Sequence, residues 1–85
     1  MITEKVWREL KTGDVLVDRA REGWLVEGIS AAREVCVTPP AGYFPDTDLR
    51  LVTVPGADGS LEIRCAGSLA SIPALEGDEV HVIPC

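Results

Sequence analysis

Hydrophobic and polar residues tend to alternate in six short runs of this chain, and turn residues separate these runs. A strand points successive side chains to opposite faces of a sheet, so this alternation predicts strands with one buried face. The runs that show it lie at residues 15–18, 24–29, 33–38, 49–54, 60–65 and 80–83. In the second run, Trp24 and Val26 share one face and are predicted to enter the core. The pattern therefore predicts an all-β domain of about six short strands.

Turn residues between the runs indicate how the strands connect. Residues 55–59, Pro-Gly-Ala-Asp-Gly, form the strongest hairpin signal, and the first three strands are expected to form a meander. Gly28 marks a predicted bulge or sharp bend in the second strand. Short strands at this spacing are typical of a small SH3-like barrel or of a compact β-sandwich, and the resemblance to these groups is one of pattern only.

Two segments depart from the period of two. Thr3 can cap a short N-terminal helix, with Ile2 and Trp7 placed around it as a hydrophobic staple, although the same residues also alternate passably as a strand. Residues 66–74 are small and polar, and one helical turn is predicted around Ser68–Ser71, closed by Pro73.

Length and apolar content place the chain among single-domain globular proteins. Of its 85 residues 46 % are hydrophobic, enough for one thin core, so residues 1–85 are expected to form a single small β domain. No apolar run approaches the roughly 20 residues that span a bilayer. Residues 1–10 mix acids and bases and lack the apolar stretch of a signal peptide. We therefore expect no membrane contact and a cytoplasmic location, or a virion if a phage encodes the protein.

The net charge of −6 is concentrated in the second half of the chain. Residues 39–85 hold seven acidic and two basic side chains, whereas residues 1–38 hold seven and six. Nucleic-acid binders concentrate Lys and Arg on one face, so this balance disfavours nucleic acid as a partner. A local patch formed by Arg19, Arg21 and Arg33 keeps nucleic-acid binding open as an alternative.

Catalytic and metal-binding residues do not form a recognisable set. The one histidine, His81, alternates with Val80 and Val82 and is expected on the face opposite the core. None of the serines lies in a nucleophile-elbow context, and one His with three scattered Cys does not supply the ligands of a structural zinc site. The sequence therefore predicts a protein that is not an enzyme and that uses no metal or other cofactor.

The three cysteines, at positions 36, 65 and 85, form no Cys-x-x-Cys pair. Free thiols are the expectation for a protein without a secretion signal. A disulfide between Cys36 and Cys65 is possible only if their strands are neighbours in the sheet.

The irregular segment 39–48 is the candidate partner-binding site. It holds the only Tyr and the only Phe of the chain, and its prolines limit the free states of the loop, which lowers the ordering cost of binding. The residues predicted to bind a partner are Pro40, Tyr43, Phe44, Asp46 and Asp48. The alternative is that Tyr43 and Phe44 fold back as a lid on a core that lacks bulky residues.

The leading hypothesis is a non-enzymatic protein–protein interaction or assembly module, for example a small phage virion or connector protein or an accessory domain of a larger assembly. An alternative is an acidic inhibitor or nucleic-acid mimic that blocks a basic groove on its partner. A nucleic-acid-binding small barrel is a further alternative. The expected partner is another protein, and an edge strand offers a route to a homo-oligomer.

Overall fold

The computed structural model describes residues 2–43 and 48–85. Within these residues it contains one α-helix, α1 (Glu4–Arg8), and six strands: β1 (Val15–Val17), β2 (Gly23–Ile29), β3 (Val35–Thr38), β4 (Leu49–Pro55), β5 (Leu61–Cys65) and β6 (His81–Ile83). Short 3-10 turns occupy Ala57–Gly59 and Pro73–Leu75. The predicted all-β class with a short N-terminal helix is confirmed.

All six strands belong to one antiparallel sheet, in the order β5-β4-β3-β2-β1-β6. The first five strands form a meander, and β6 returns to pair with β1, where Val82 lies opposite Leu16. The sheet curls into a half-barrel. The barrel-like prediction is thus confirmed, with a single curled sheet in place of two facing sheets, and β5 and β6 are its edges.

The inner face of the curled sheet carries the core, because every second strand residue points into it. Trp24 and Val26 are fully buried there, as their alternation with polar neighbours predicts. The other side chains of the core cluster are Ile2, Trp7, Leu10, Leu16, Val35, Val37, Leu51, Ile63, Ile72, Leu75 and Val80.

Helix α1 closes one part of this core. The Oγ1 of Thr3 accepts the N–H of Val6 at 3.3 Å, which is the N-cap bond that favours a helix here over a strand. Ile2 and Trp7 on either side of the cap are both buried. The carbonyl of Ile2 accepts the N–H of Leu61 at 2.9 Å, so the segment before the helix is tied to β5.

The bulge predicted at Gly28 is confirmed, since the β2–β3 register shifts between Val26 and Gly28. Strand β4 separates the strands that carry Cys36 and Cys65, and all three cysteines are free thiols.

The helical turn predicted around residues 68–71 is misplaced, because a single turn closes earlier, where the N–H of Leu69 donates to the carbonyl of Cys65 at 2.9 Å. Instead, Ser71 forms an isolated antiparallel bridge with Arg64, and the N–H of Cys65 donates to the carbonyl of Ala70 at 2.9 Å. The segment folds back along the edge of β5, where extended pairing satisfies backbone groups that a helical turn would have left exposed. Pro73 begins the following 3-10 turn and does not end a preceding one.

Candidate docking surface

Tyr43, the described aromatic residue of the predicted binding loop, lies against the core. Its ring meets the indole of Trp24 edge-to-face, with the centroids 4.6 Å apart and the planes at 66°. The N–H of Tyr43 donates to the carbonyl of Pro40 at 3.1 Å, which turns the chain inward. Tyr43 is half-buried and packs on the core cluster, so its ring acts as a lid over Trp24.

The rest of the predicted binding set is only partly described. Asp48 is exposed, and its carboxylate accepts the hydroxyl of Thr38 at 3.3 Å. Phe44 and Asp46 lie outside the described residues. Partner binding by this loop therefore stays a prediction.

The hairpin between β1 and β2 is built around one buried aspartate. Asp18 is 3 % exposed, and its Oδ1 accepts the N–H groups of Ala20 at 2.8 Å and Glu22 at 3.0 Å. Its Oδ2 accepts the indole N–H of Trp24 at 2.9 Å. These donors offset the desolvation of the carboxylate, and they hold the turn of residues 18–22 rigidly against the core.

The hairpin between β2 and β3 repeats this turn. Ser30 donates its N–H to the carbonyl of Glu34, the N–H of Arg33 donates to the carbonyl of Ser30, and the Ser30 Oγ accepts the N–H of Glu34. The same three bonds join residues 18, 21 and 22 of the first hairpin. Both turns carry Ala-Arg-Glu at matching positions, 20–22 and 32–34.

The arginine of each turn has a left-handed backbone, with φ of 66° at Arg21 and 61° at Arg33. This conformation costs about 1–2 kcal/mol for a residue with a Cβ, and glycine would avoid that cost. The side chain of Arg33 donates through Nη2 to the carbonyl of Trp7, and the indole N–H of Trp7 donates to the carbonyl of Arg33. The side chain of Arg21 forms no hydrogen bond or ion pair within residues 2–43 and 48–85.

The outer face of the sheet carries a row of aliphatic side chains. Leu25, Val15 and Ile83 are register partners on three neighbouring strands, β2, β1 and β6, so they share one face. Leu25 is 40 % exposed and Ile83 is 51 % exposed. None of the three belongs to the core or to the residues packed on it. We call Val15, Leu25 and Ile83 the aliphatic row.

An open depression of about 650 Å³ adjoins one end of this row. Its lining includes the buried Val17, the exposed Ile83 and three basic side chains, Arg19, Arg21 and His81. The Nδ1 of His81 lies 3.0 Å from the carbonyl oxygen of Glu79, to which it donates, and this bond orients the ring. We call the group Arg19, Arg21 and His81 the Arg–His cluster.

Asp18 and Glu79 also line this depression, and neither carboxylate forms an ion pair with Arg19 or Arg21. The oxygens of Asp18 are taken up by backbone and indole N–H groups, and no ion pair of Glu79 with a described arginine is present. The other arginines have partners in the chain: Arg8 with Glu4, Arg50 with Glu34, Arg64 with Glu62, and Arg33 with the Trp7 carbonyl. Arg19 and Arg21 are the exceptions in the described part of the chain.

A second cavity, of about 330 Å³, lies between β5 and the segment that leads into β6. Ile63 and Val80 contribute apolar surface, and Glu62, Glu76 and Asp78 contribute acidic side chains. Arg64 also lines the cavity and forms an ion pair with Glu62. Part of the negative charge in the second half of the sequence therefore gathers around one concave surface.

Within residues 2–43 and 48–85, no group of three His, Cys, Asp or Glu side chains is placed to hold a metal ion. His81 is exposed on the outer side of β6, as its alternation with Val80 and Val82 predicts. Among these same residues, no helix is long and apolar enough to cross a membrane.

Sequence reasoning missed the aliphatic row, although the signal for two of its members was present. Leu25 alternates with the buried Trp24 and Val26, and Ile83 shares the period of His81. Leu25 is aligned with Val15 by the β1–β2 hairpin, whereas the alignment of Ile83 with Val15 depends on the pairing of β1 with β6, which no local pattern encodes. The comparisons with protein-family models, with curated proteins and with solved structures find no match to this chain.

Proposed function

We propose that this domain is a non-enzymatic docking module that binds another protein through the outer face of β2, β1 and β6. The observation that carries the proposal is the aliphatic row. Isolated exposed hydrophobic residues are normal on a protein surface, whereas contiguous ones mark contact surfaces. Burying such side chains against a partner contributes about 25 cal/mol per Å² of apolar area.

The position of the row at the edge of the sheet suits assembly. Ile83 lies on the edge strand β6, so a partner that covers the row also reaches unpaired backbone groups of that edge. A second copy of the chain and a larger assembly, of which a phage virion or connector is one example, are both compatible partners for such a surface.

The experiment compares three substitutions that place the same charge on an exposed apolar residue. Leu25→Glu and Ile83→Glu alter the row, and Leu69→Glu is the matched control, because Leu69 is 58 % exposed in the loop after β5. The immobilised domain is used to capture its partner from a lysate of the source cells. We expect the same captured protein with wild type and Leu69→Glu, and its loss with both row variants, at unchanged thermal midpoints. Equal capture by all four proteins, or equal loss in the control, refutes the proposal.

The acidic cavity favours a second candidate function, an acidic module that blocks a basic groove. This function predicts that Glu62→Gln with Glu76→Gln abolishes capture, and that capture falls steeply with salt. Capture that depends on the aliphatic row and varies little with salt excludes it.

A further inference from the structure

The two Ala-Arg-Glu hairpins provide an internal comparison. In both, the turn places an arginine in the left-handed region, where glycine would be free of strain. The side chain of Arg33 is used by the fold itself, since it joins the turn to the Trp7 carbonyl of helix α1. The hydrogen bond to helix α1 therefore explains why position 33 is an arginine.

The side chain of Arg21 makes no comparable bond to the described residues. Its side chain has no hydrogen-bond or ion-pair partner there, yet its backbone bears the same strain as that of Arg33. Residues held in such conformations cluster at binding sites, where the surrounding structure fixes them. In this hairpin the fixing structure is the Asp18 carboxylate, which bonds Ala20, Glu22 and Trp24.

The charge of Arg21 is reinforced by that of Arg19, which lies on the same turn. His81 adds an imidazole from β6, and all three side chains line one depression. Because the turn is already rigid, little conformational entropy of the backbone is lost when a ligand binds. The lining also includes Val17 and Ile83, so the depression offers apolar contact beside the positive charge.

We infer that the Arg–His cluster binds the carboxylates of an acidic, aliphatic segment of the docking partner. The inference rests on the proposed function, because the segment would lie over the aliphatic row, which shares Ile83 with the depression. Arginine guanidinium groups match a carboxylate in geometry and form charge-assisted hydrogen bonds with it. Aliphatic side chains of the segment would pack on Ile83 and Leu25.

A protein segment fits this surface better than a nucleic acid. A nucleic-acid backbone presents an unbroken line of phosphates, and the net charge of −6 repels it beyond the two arginines. Glu79 also lines the depression and repels phosphates and carboxylates alike. A short segment with two or three carboxylates carries less negative charge than a run of phosphates and meets less of this repulsion. Its aliphatic side chains can pack on the aliphatic row, whereas sugars and phosphates make no use of it.

The test is an NMR titration of the domain with the peptide Gly-Glu-Leu-Glu-Leu-Glu-Gly at low salt. A matched peptide with Gln in place of every Glu and a short oligo-dT serve as the comparison ligands. We expect the acidic peptide to shift the resonances of Arg19, Arg21 and His81, with an affinity about tenfold above that of the Gln peptide. Equal binding of the two peptides overturns the inference, and tighter binding of oligo-dT replaces it with nucleic-acid recognition.

Two glycine substitutions separate binding from folding. Arg21→Gly removes the proposed ligand-binding side chain and relieves the strained backbone, so it is expected to weaken acidic-peptide binding about tenfold and to preserve the thermal midpoint. Arg33→Gly relieves the same strain but loses the bond to the Trp7 carbonyl, so it is expected to lower the midpoint and preserve peptide binding. Undiminished binding by Arg21→Gly overturns the inference. If Arg21→Gly still captures the partner from a lysate while Leu25→Glu does not, the proposed docking function is retained and only the role of Arg21 is refuted.

Discussion

Replacing Asp18 by alanine tests whether its carboxylate holds the first hairpin to the core. The substitution removes the acceptor of three hydrogen bonds, and the three donors differ in whether they can then bind water. The N–H groups of Ala20 and Glu22 belong to exposed residues and can bind water, at a cost of about 0.5–1 kcal/mol each. The indole N–H belongs to the fully buried Trp24 and is left without a partner, which costs about 1–3 kcal/mol.

The free energy of unfolding is therefore expected to fall by about 2–5 kcal/mol. A domain of 85 residues has a total stability of about 4–13 kcal/mol, so this loss is large. Urea denaturation followed by circular dichroism measures it, with Asp48→Ala as the control for removing an exposed carboxylate. That control is expected to change stability by less than about 0.5 kcal/mol.

A double-mutant cycle isolates the bond between Asp18 and the indole. Trp24→Phe removes the donor, so Asp18→Ala in that background no longer leaves a buried N–H unpaired. We expect a coupling free energy of about 1–3 kcal/mol between the two sites. Additive effects, or an Asp18→Ala variant as stable as wild type, would refute the assignment of Asp18 as the residue that holds the turn to the core.

Two further substitutions test local features of the fold. Tyr43→Ala is expected to lower the free energy of unfolding by about 1.5–3 kcal/mol, because it removes the edge-to-face contact with Trp24 and uncovers the core. The control Tyr43→Phe keeps the ring and is expected to keep the thermal midpoint. An Ala variant that melts at the wild-type midpoint would contradict the role of Tyr43 as a lid. Gly13→Ala is expected to cost about 1–2 kcal/mol, because its φ is 97° and an added Cβ would lie 2.9 Å from the Sγ of Cys85. Adding Cys85→Ala should restore only the steric part of that loss, and full recovery in chemical denaturation would show that the backbone conformation is not strained.

The strands and their inward faces followed from the alternation of residue types. Trp24 and Val26 enter the core because they alternate with Leu25 and Glu27, and the bulge lies at Gly28 as its lack of a side chain suggests. These features are local, so a single pattern along the chain specifies them.

The buried aspartates could not be predicted in the same way. Asp is rarely buried, and a turn rich in charge such as residues 18–22 is expected to be solvated. Asp14 accepts the N–H groups of Lys11 and of Cys85, a residue from the other end of the chain, so its burial depends on a contact that no sequence window contains.

The candidate site was missed for a related reason. The two Ala-Arg-Glu segments are visible in the sequence, but their left-handed arginines are not, because propensity assigns such positions to Gly or Asn. The composition of the loop that contains Tyr43 predicted a binding site, but it could not predict that the tyrosine ring packs on Trp24.

The pairing of β6 with β1 has a consequence for the order of events during folding. Every other strand pair joins neighbours in sequence, whereas residue 15 must meet residue 83. Closing so long a loop is entropically costly, so we expect the five-stranded meander to form first and the last strand to dock late. During that interval the edge of β1 is open to a neighbouring chain. Refolding at high protein concentration should therefore produce aggregates joined through β1, and dilution should suppress them.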